Sequence, residues 1–208
     1  MPTFCSQVGR GCLYGPVVAA AVVMPLAPDG DALWHAIRDS KKVSEKRRPA
    51  LAAYIRRVAL AHGVGSASVE EIDRRNILQA TMLAMHRALD AALRDAPAEV
   101  RGRVTRVLVD GTYFVPYMPP GRDADALPHT CVPKGDATVH GIAAASIVAK
   151  VWRDAWVLEH VAAHPELAPY GLEKSKGYGT PAHLAALRAH GVQAGHRRSF
   201  QPIASMGV

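Results

Sequence analysis

From Pro16 to Met24 the chain is an unbroken run of small and β-branched residues, Pro16-Val17-Val18-Ala19-Ala20-Ala21-Val22-Val23-Met24, closed by Pro25. Branching at Cβ favours extended backbone, and the lack of any polar alternation means that neither face of the segment is designed for water. The run therefore reads as a strand buried on both faces, bounded where the prolines remove backbone donors. Val104 to Val109 is a second strand candidate of the same kind, and it delivers Asp110 to its C-terminal end.

Helical signals lie between and after these strands. Ser44 opens a basic stretch, but Pro49 suits the first turn of a helix, so the regular helix is expected near Arg48. Its apolar stripe is Leu51, Ile55 and Val58, with Gly63 as the expected terminator. Ser68 with Glu71 reads as a capping box, and Asn76 with Gln79 as another directly after it. The second opens a long helix with Leu78, Met82, Met85, Leu89 and Leu93 on one face, a stripe that reads as core. Residues 138–163 form a further helical pattern broken at Pro165, and their Ala143-Ala144-Ala145-Ser146 stretch is small enough for close approach to a sheet or another helix. The segment between Val109 and Pro133, with Tyr113, Phe114, Tyr117, Pro119, Pro120 and Gly121, reads as a functional surface loop or a poorly ordered one. Repeats, low-complexity tracts and dividing linkers are absent, so residues 1–208 are expected to form one α/β domain.

Composition narrows the partners. The chain has 208 residues, 49% of them apolar, enough for one well-buried core and too few for two ordinary domains. Its net charge of +7 favours a polyanionic partner such as nucleic acid or an anionic membrane surface. Cys5, Cys12 and Cys131 are odd in number and form no C-x-x-C, which fits inert thiols in a reducing, cytoplasmic setting. The longest apolar run, around residues 15–28, is interrupted by Gly and Pro, so no membrane span is expected. His160 and His164, four apart with no third ligand in register, read as a surface pair.

Read locally, Asp110 caps a turn before Gly111 and Asp136 caps the helix that follows it. A wider frame assigns them differently. Cys5-Ser6-Gln7-Val8-Gly9-Arg10-Gly11, Val109-Asp110-Gly111, Pro133-Lys134-Gly135-Asp136-Ala137 and the segment Ile142 to Val151 stand in one order with Asp39 to Arg48, Lys176-Gly177-Tyr178-Gly179-Thr180 and His196-Arg197-Arg198-Ser199-Phe200. In this order and at these distances the chain resembles bacterial ribonuclease HII, from Cys5 to Pro202. The resemblance implies a ribonuclease-H-like α/β domain with a mixed central sheet flanked by helices.

It also implies a site. Asp110 and Asp136 match the family's third and fourth metal ligands. Ser6 and Gln7 stand where the family carries an Asp-Glu pair at the end of its first strand, so two of four expected carboxylates are missing. The implied cofactor is Mg²⁺ or Mn²⁺, with two ions about 4 Å apart in the complete site. Gly9, Arg10 and Gly11 match the loop that reads the ribose 2′-hydroxyl, and Tyr178 the tyrosine that packs on the neighbouring deoxyribose. Lys41 and Lys42 match residues that grip phosphates at a helix start. Asp154 matches a position for which an ion-pairing or capping role is expected.

The implied activity is endonucleolytic hydrolysis of RNA in RNA–DNA hybrids, and incision 5′ of ribonucleotides embedded in duplex DNA, as in ribonucleotide excision repair. A monomer acting on nucleic acid is expected. With Ser6 and Gln7 present, impaired catalysis is expected, and the alternative is a non-catalytic binder of ribonucleotide-containing duplexes. An inactivated form, a degenerate family member and a variant that recruits another ligand all remain open at the level of sequence.

Overall fold

In the computed structural model, residues 1–26, 30–38, 42–119 and 125–206 are described. The run between the prolines is a strand, β2 (Val17–Val23), and every one of its residues is buried. Val17, Ala19, Ala21 and Val23 belong to one hydrophobic cluster and Val18, Ala20 and Val22 to another, on opposite faces. Both of its neighbours run antiparallel: β1 (Pro2–Val8), with Ser6 opposite Ala20, and β3 (Ala61–Ala67) on the outer edge. On the other side β1 pairs in parallel with β4 (Arg106–Asp110), and β4 in parallel with β5 (His129–Val132). The sheet is mixed, in the order β3-β2-β1-β4-β5.

Around it lie α1 (Ala32–Ala36), α2 (Arg48–Val58), α3 (Val69–Arg75), α4 (Ile77–Arg94), α5 (Ala98–Arg103), α6 (Gly135–Thr138), α7 (His140–Ala163), α8 (Leu172–Ser175) and α9 (Pro181–His190). One face of the sheet is covered by α4, the other by α7 with α2 and α1 packed beside it. Among the described residues, no helix is long and apolar enough to cross a membrane.

The Met/Leu stripe of α4 is core, as its spacing predicts: Met82, Met85, Leu89 and Leu93 are buried, and Leu78 packs against the same cluster. Ser68 and Glu71 form the reciprocal capping box that opens α3. At Asn76 the side chain accepts from the Gln79 N–H at 3.1 Å. α2 starts at Arg48 with its proline in the first turn.

Two expectations need correction. Gly63 does not end α2, which stops at Val58; Gly63 and Gly65 instead sit inside β3. A Cβ on Gly63 would lie 2.3 Å from the Ala92 nitrogen, and one on Gly65 would lie 2.4 Å from the Ala84 oxygen. Small residues on both partners (Ala80, Ala84, Ala88 and Ala92 on α4) let helix and strand backbones approach to a distance no larger side chain allows. The second correction concerns the loop after β4. Phe114 and Tyr117 are buried against α4, the Tyr117 hydroxyl donates to Asp90 at 2.6 Å, and Tyr117 bridges Leu127. Phe114 and Tyr117 therefore cover the core, where their rings gain by burial, while Tyr113 and Met118 of the same loop are exposed.

Candidate active site

The ends of β1 and β4 lie side by side, since Cys5 pairs with Val109, and this places residue 6 next to Asp110. Ser6 is fully buried, and its Oγ donates to Asp110 Oδ2 at 3.1 Å. The other carboxylate oxygen, Oδ1, accepts from the Gly135 N–H at 3.0 Å, at the start of the short helix α6. Asp136, in the first turn of α6, is 7% exposed. Burial raises the Asp110 carboxyl above its ordinary range and the nearby Asp136 charge adds to this, while the hydrogen bonds from Ser6, Gly135 and Asp136 partly oppose it.

Gln7, Asp110 and Asp136 open into a cleft of about 230 Å³ together with Gly9, Arg10, Gly11 and Tyr178. Ser6 lies beneath this surface, joined to it through Asp110. Lys42 is exposed and is not among the residues lining the cleft, while Lys41 lies outside the described residues. Three polar cleft residues were not singled out from sequence: Arg48, at the start of α2, and Ser146 and Lys150, one turn apart on α7. The i, i+4 spacing of Ser146 and Lys150 after the small alanine run was the available signal. Lys150 forms an ion pair with Asp154, in keeping with the ion-pairing role expected of that aspartate.

The donor set does not fit two divalent ions. Hard cations take several oxygens each, and a two-ion site needs carboxylates to bridge them. Asp110 and Asp136 supply two, Gln7 supplies a neutral amide, and the Ser6 hydroxyl already donates its proton to Asp110. Among the described residues, no group of three or more His, Cys, Asp or Glu side chains is placed to hold a metal.

The loop forming the cleft wall is held differently. Arg153 of α7 is fully buried and donates to the carbonyls of Pro16 at 3.1 Å, Lys176 at 2.7 Å and Tyr14 at 2.8 Å. Arg197, also fully buried, donates to the Gly15 carbonyl at 2.9 Å and the Arg10 carbonyl at 3.0 Å. Gly9 has φ +87°, and a Cβ there would meet the Arg153 side chain at 2.3 Å, so both conformation and space call for glycine. The Leu13 N–H donates to the Gly177 carbonyl at 2.8 Å, and Cys12 bridges Tyr178. Residues 9–16 and 175–178 are thereby one unit, and the Tyr178 ring stays 41% exposed at the cleft.

A buried histidine pair extends this unit. The Gln193 N–H donates to His196 Nδ1 at 3.1 Å, His196 Nε2 contacts His183 Nε2 at 3.1 Å, and His183 Nδ1 contacts the Tyr178 carbonyl at 3.0 Å. With both rings neutral the chain closes with His196 protonated on Nε2 and His183 on Nδ1, and the Gln193 carbonyl lies 3.2 Å from His196 Nδ1 as a second neighbour. Burial lowers the pKa of both, that of His196 to about 4. His160 and His164, expected as a surface pair, instead form a half-buried ring column with Trp156, at 4.7 Å from Trp156 to His160 and 4.2 Å from His160 to His164. The three cysteines are free thiols, with Cys5 and Cys12 buried.

A mixed five-stranded sheet in which the aspartate that ends β4 meets one in the first turn of α6 at a cleft is a ribonuclease-H-like arrangement, and known structures agree. The structure is similar to ribonuclease HII in its PCNA complex from Archaeoglobus fulgidus (TM-score 0.68, 22% identity, 97% of this chain and 95% of that one). It is also similar to Bst-RNase HIII in complex with Mn²⁺ (TM-score 0.69, 21% identity, 98% of this chain and 68% of that one). A model of the ribonuclease HII family matches residues 6–203, and ribonuclease HII of Dechloromonas aromatica is 48% identical over 198 residues, 95% of this chain and 89% of that one. The chain belongs to the ribonuclease HII family.

Proposed function

We propose that this chain engages the RNA of RNA–DNA hybrids and single ribonucleotides embedded in duplex DNA, and that its hydrolysis at those sites is impaired. The family's reaction is endonucleolytic. Water attacks the phosphorus on the 5′ side of the ribonucleotide, the O3′ of the preceding nucleotide leaves, and a 3′-hydroxyl and a 5′-phosphate result. Bound divalent ions supply charge neutralisation and an activated water in that chemistry.

Each residue of this chain has a part that its position supports. The backbone of Gly9 and Gly11 approaches the ribose closely, and the exposed ring of Tyr178 packs on the adjoining sugar. Lys42 contributes to phosphate binding outside the cleft. Asp110 and Asp136 hold at most one hard cation, weakly, with Gln7 as a neutral neighbour.

The observation that carries the impairment is the Ser6 hydroxyl donating to Asp110, at the place where the family's first carboxylate belongs. A proton donor there occupies a lone pair of the one carboxylate best placed to take a metal. The non-catalytic binder is the limiting form of the same reading.

The test is incubation with a labelled duplex carrying one ribonucleotide, an RNA–DNA hybrid and an all-DNA duplex, each with Mn²⁺ and with EDTA. Preference for the ribonucleotide substrates with nicking far slower than ordinary turnover is expected. Mn²⁺-dependent turnover on the order of 1 s⁻¹ or faster would remove the impairment from this reading. Equal affinity for all three duplexes would remove the substrate assignment.

A further inference from the structure

The charges that line the cleft do not match the cofactor that the family implies. Arg10, Arg48 and Lys150 line the same cleft as Asp110 and Asp136, three cations and two carboxylates. Asp154 pairs with Lys150 without lining the cleft, and with it included the set is balanced. Carboxylates at positions 6 and 7 would turn that balance into an excess of two negative charges, which repels a phosphodiester unless divalent ions stand between them. In this chain the excess is gone.

We infer that the cleft binds a backbone phosphodiester of its duplex directly, without a divalent ion, through Lys150, Arg48 and Arg10. The inference rests on the reading of the chain as a duplex binder given above. An ammonium and two guanidinium groups suit a phosphate, the guanidinium through paired N–H donors and the ammonium as a compact charge. Lys150 comes from the middle of the 24-residue helix α7, so its position is set by a rigid element. Its partner Asp154 lies one turn further along and orients the ammonium from one side. The cleft volume of about 230 Å³ leaves room for the phosphate group. Metal-dependent substrate binding is in this way exchanged for metal-independent binding by the two changes that remove the carboxylates.

Fluorescence anisotropy with the full chain and a duplex carrying one ribonucleotide tests this, in EDTA and in Mn²⁺ at matched ionic strength. The expected Kd values agree within about twofold, and the salt dependence has the slope of a site held by cationic side chains. Lys150→Ala is expected to weaken binding in EDTA by about tenfold and to reduce the slope of log K against log salt by about one, with Lys150→Arg restoring most of both. In the Ser6→Asp, Gln7→Glu double variant, binding is expected to become dependent on Mn²⁺, falling at least about tenfold in EDTA. Binding by the unmodified chain in Mn²⁺ but not in EDTA overturns the inference and leaves the duplex-binder reading intact. Binding under neither condition overturns both. If Lys150→Ala loses helical content, Lys150→Arg and the double variant carry the test.

Discussion

Residues 6 and 7 and residues 9 to 16 are separated only by Val8 but are held by different physics. Ser6 and Gln7 complete a strand whose register is set by backbone pairing, so their side chains can change without disturbing the sheet. Serine is smaller than aspartate and glutamine has the shape of glutamate, and the buried hydroxyl keeps a hydrogen-bond partner in Asp110. The loop that follows has no such freedom. Two buried guanidinium groups, a glycine pressed onto one of them and a chain of neutral histidines fix its backbone. Charge in the cleft floor can therefore be lost at little cost in packing, whereas the buried groups that hold the backbone of the wall cannot be altered without destabilising the fold. On the proposed reading, recognition and hydrolysis are separable in this chain for that reason.

The contrast predicts unequal costs of mutation. Arg153→Ala would take the guanidinium donors from the Pro16, Tyr14 and Lys176 carbonyls, leaving Lys176 only the Cys12 thiol at 3.6 Å, and is expected to cost about 3–5 kcal/mol in denaturant unfolding. Gln7→Ala, on the cleft surface, is expected to stay within about 0.5 kcal/mol of the parent. Comparable losses in the two variants would break the contrast.

Acid should act on the wall before the floor. His196 has a folded-state pKa of about 4 against an ordinary 6.5, so between these values the unfolded chain takes up a proton that the folded chain refuses. Its contribution is fully present above pH 6.5 and is lost as the pH falls towards 4, by up to about 3 kcal/mol on the conversion of 1.36 kcal/mol per unit. His183→Phe should lose the hydrogen bond to Tyr178 and flatten this profile; an unchanged profile in both His183 and His196 variants would discount the histidine chain.

A smaller effect sharpens the role of the wall itself. Tyr178→Ala is expected to reduce the preference for a ribonucleotide duplex over plain DNA by about five- to tenfold, on the order of 1 kcal/mol, with little change in affinity for plain DNA. Equal weakening for both duplexes would make Tyr178 a general contact.

Much of the fold is legible in residue patterns. The unbroken small run gave β2, and the capping box and Met/Leu stripe gave α3 and α4, because each rests on local periodicity. β3 was illegible because Gly63 reads locally as a helix terminator; only the alanine column of α4, far along the chain, explains its two glycines. The burial of Phe114 and Tyr117 in the loop after β4 was illegible for a similar reason, since it depends on the surface of α4. In the cleft, Asp110 and Asp136 stood out only through the resemblance, and Arg48, Ser146 and Lys150 were missed because the approach of α2 and α7 is tertiary. The histidine chain joins residues of three separate segments and has no sequence signature.

The central claim is that residues 6 and 7 alone separate this chain from hydrolysis. Its most direct test is Mn²⁺-dependent cleavage of a duplex with one ribonucleotide by the parent and by the Ser6→Asp, Gln7→Glu double variant. The account predicts at least a hundredfold gain, about 2.7 kcal/mol of transition-state stabilisation, with Ser6→Asp supplying most of it and Gln7→Glu alone little. A double variant that folds, binds the duplex in Mn²⁺ and still does not cut would contradict the claim and place the defect elsewhere in the chain.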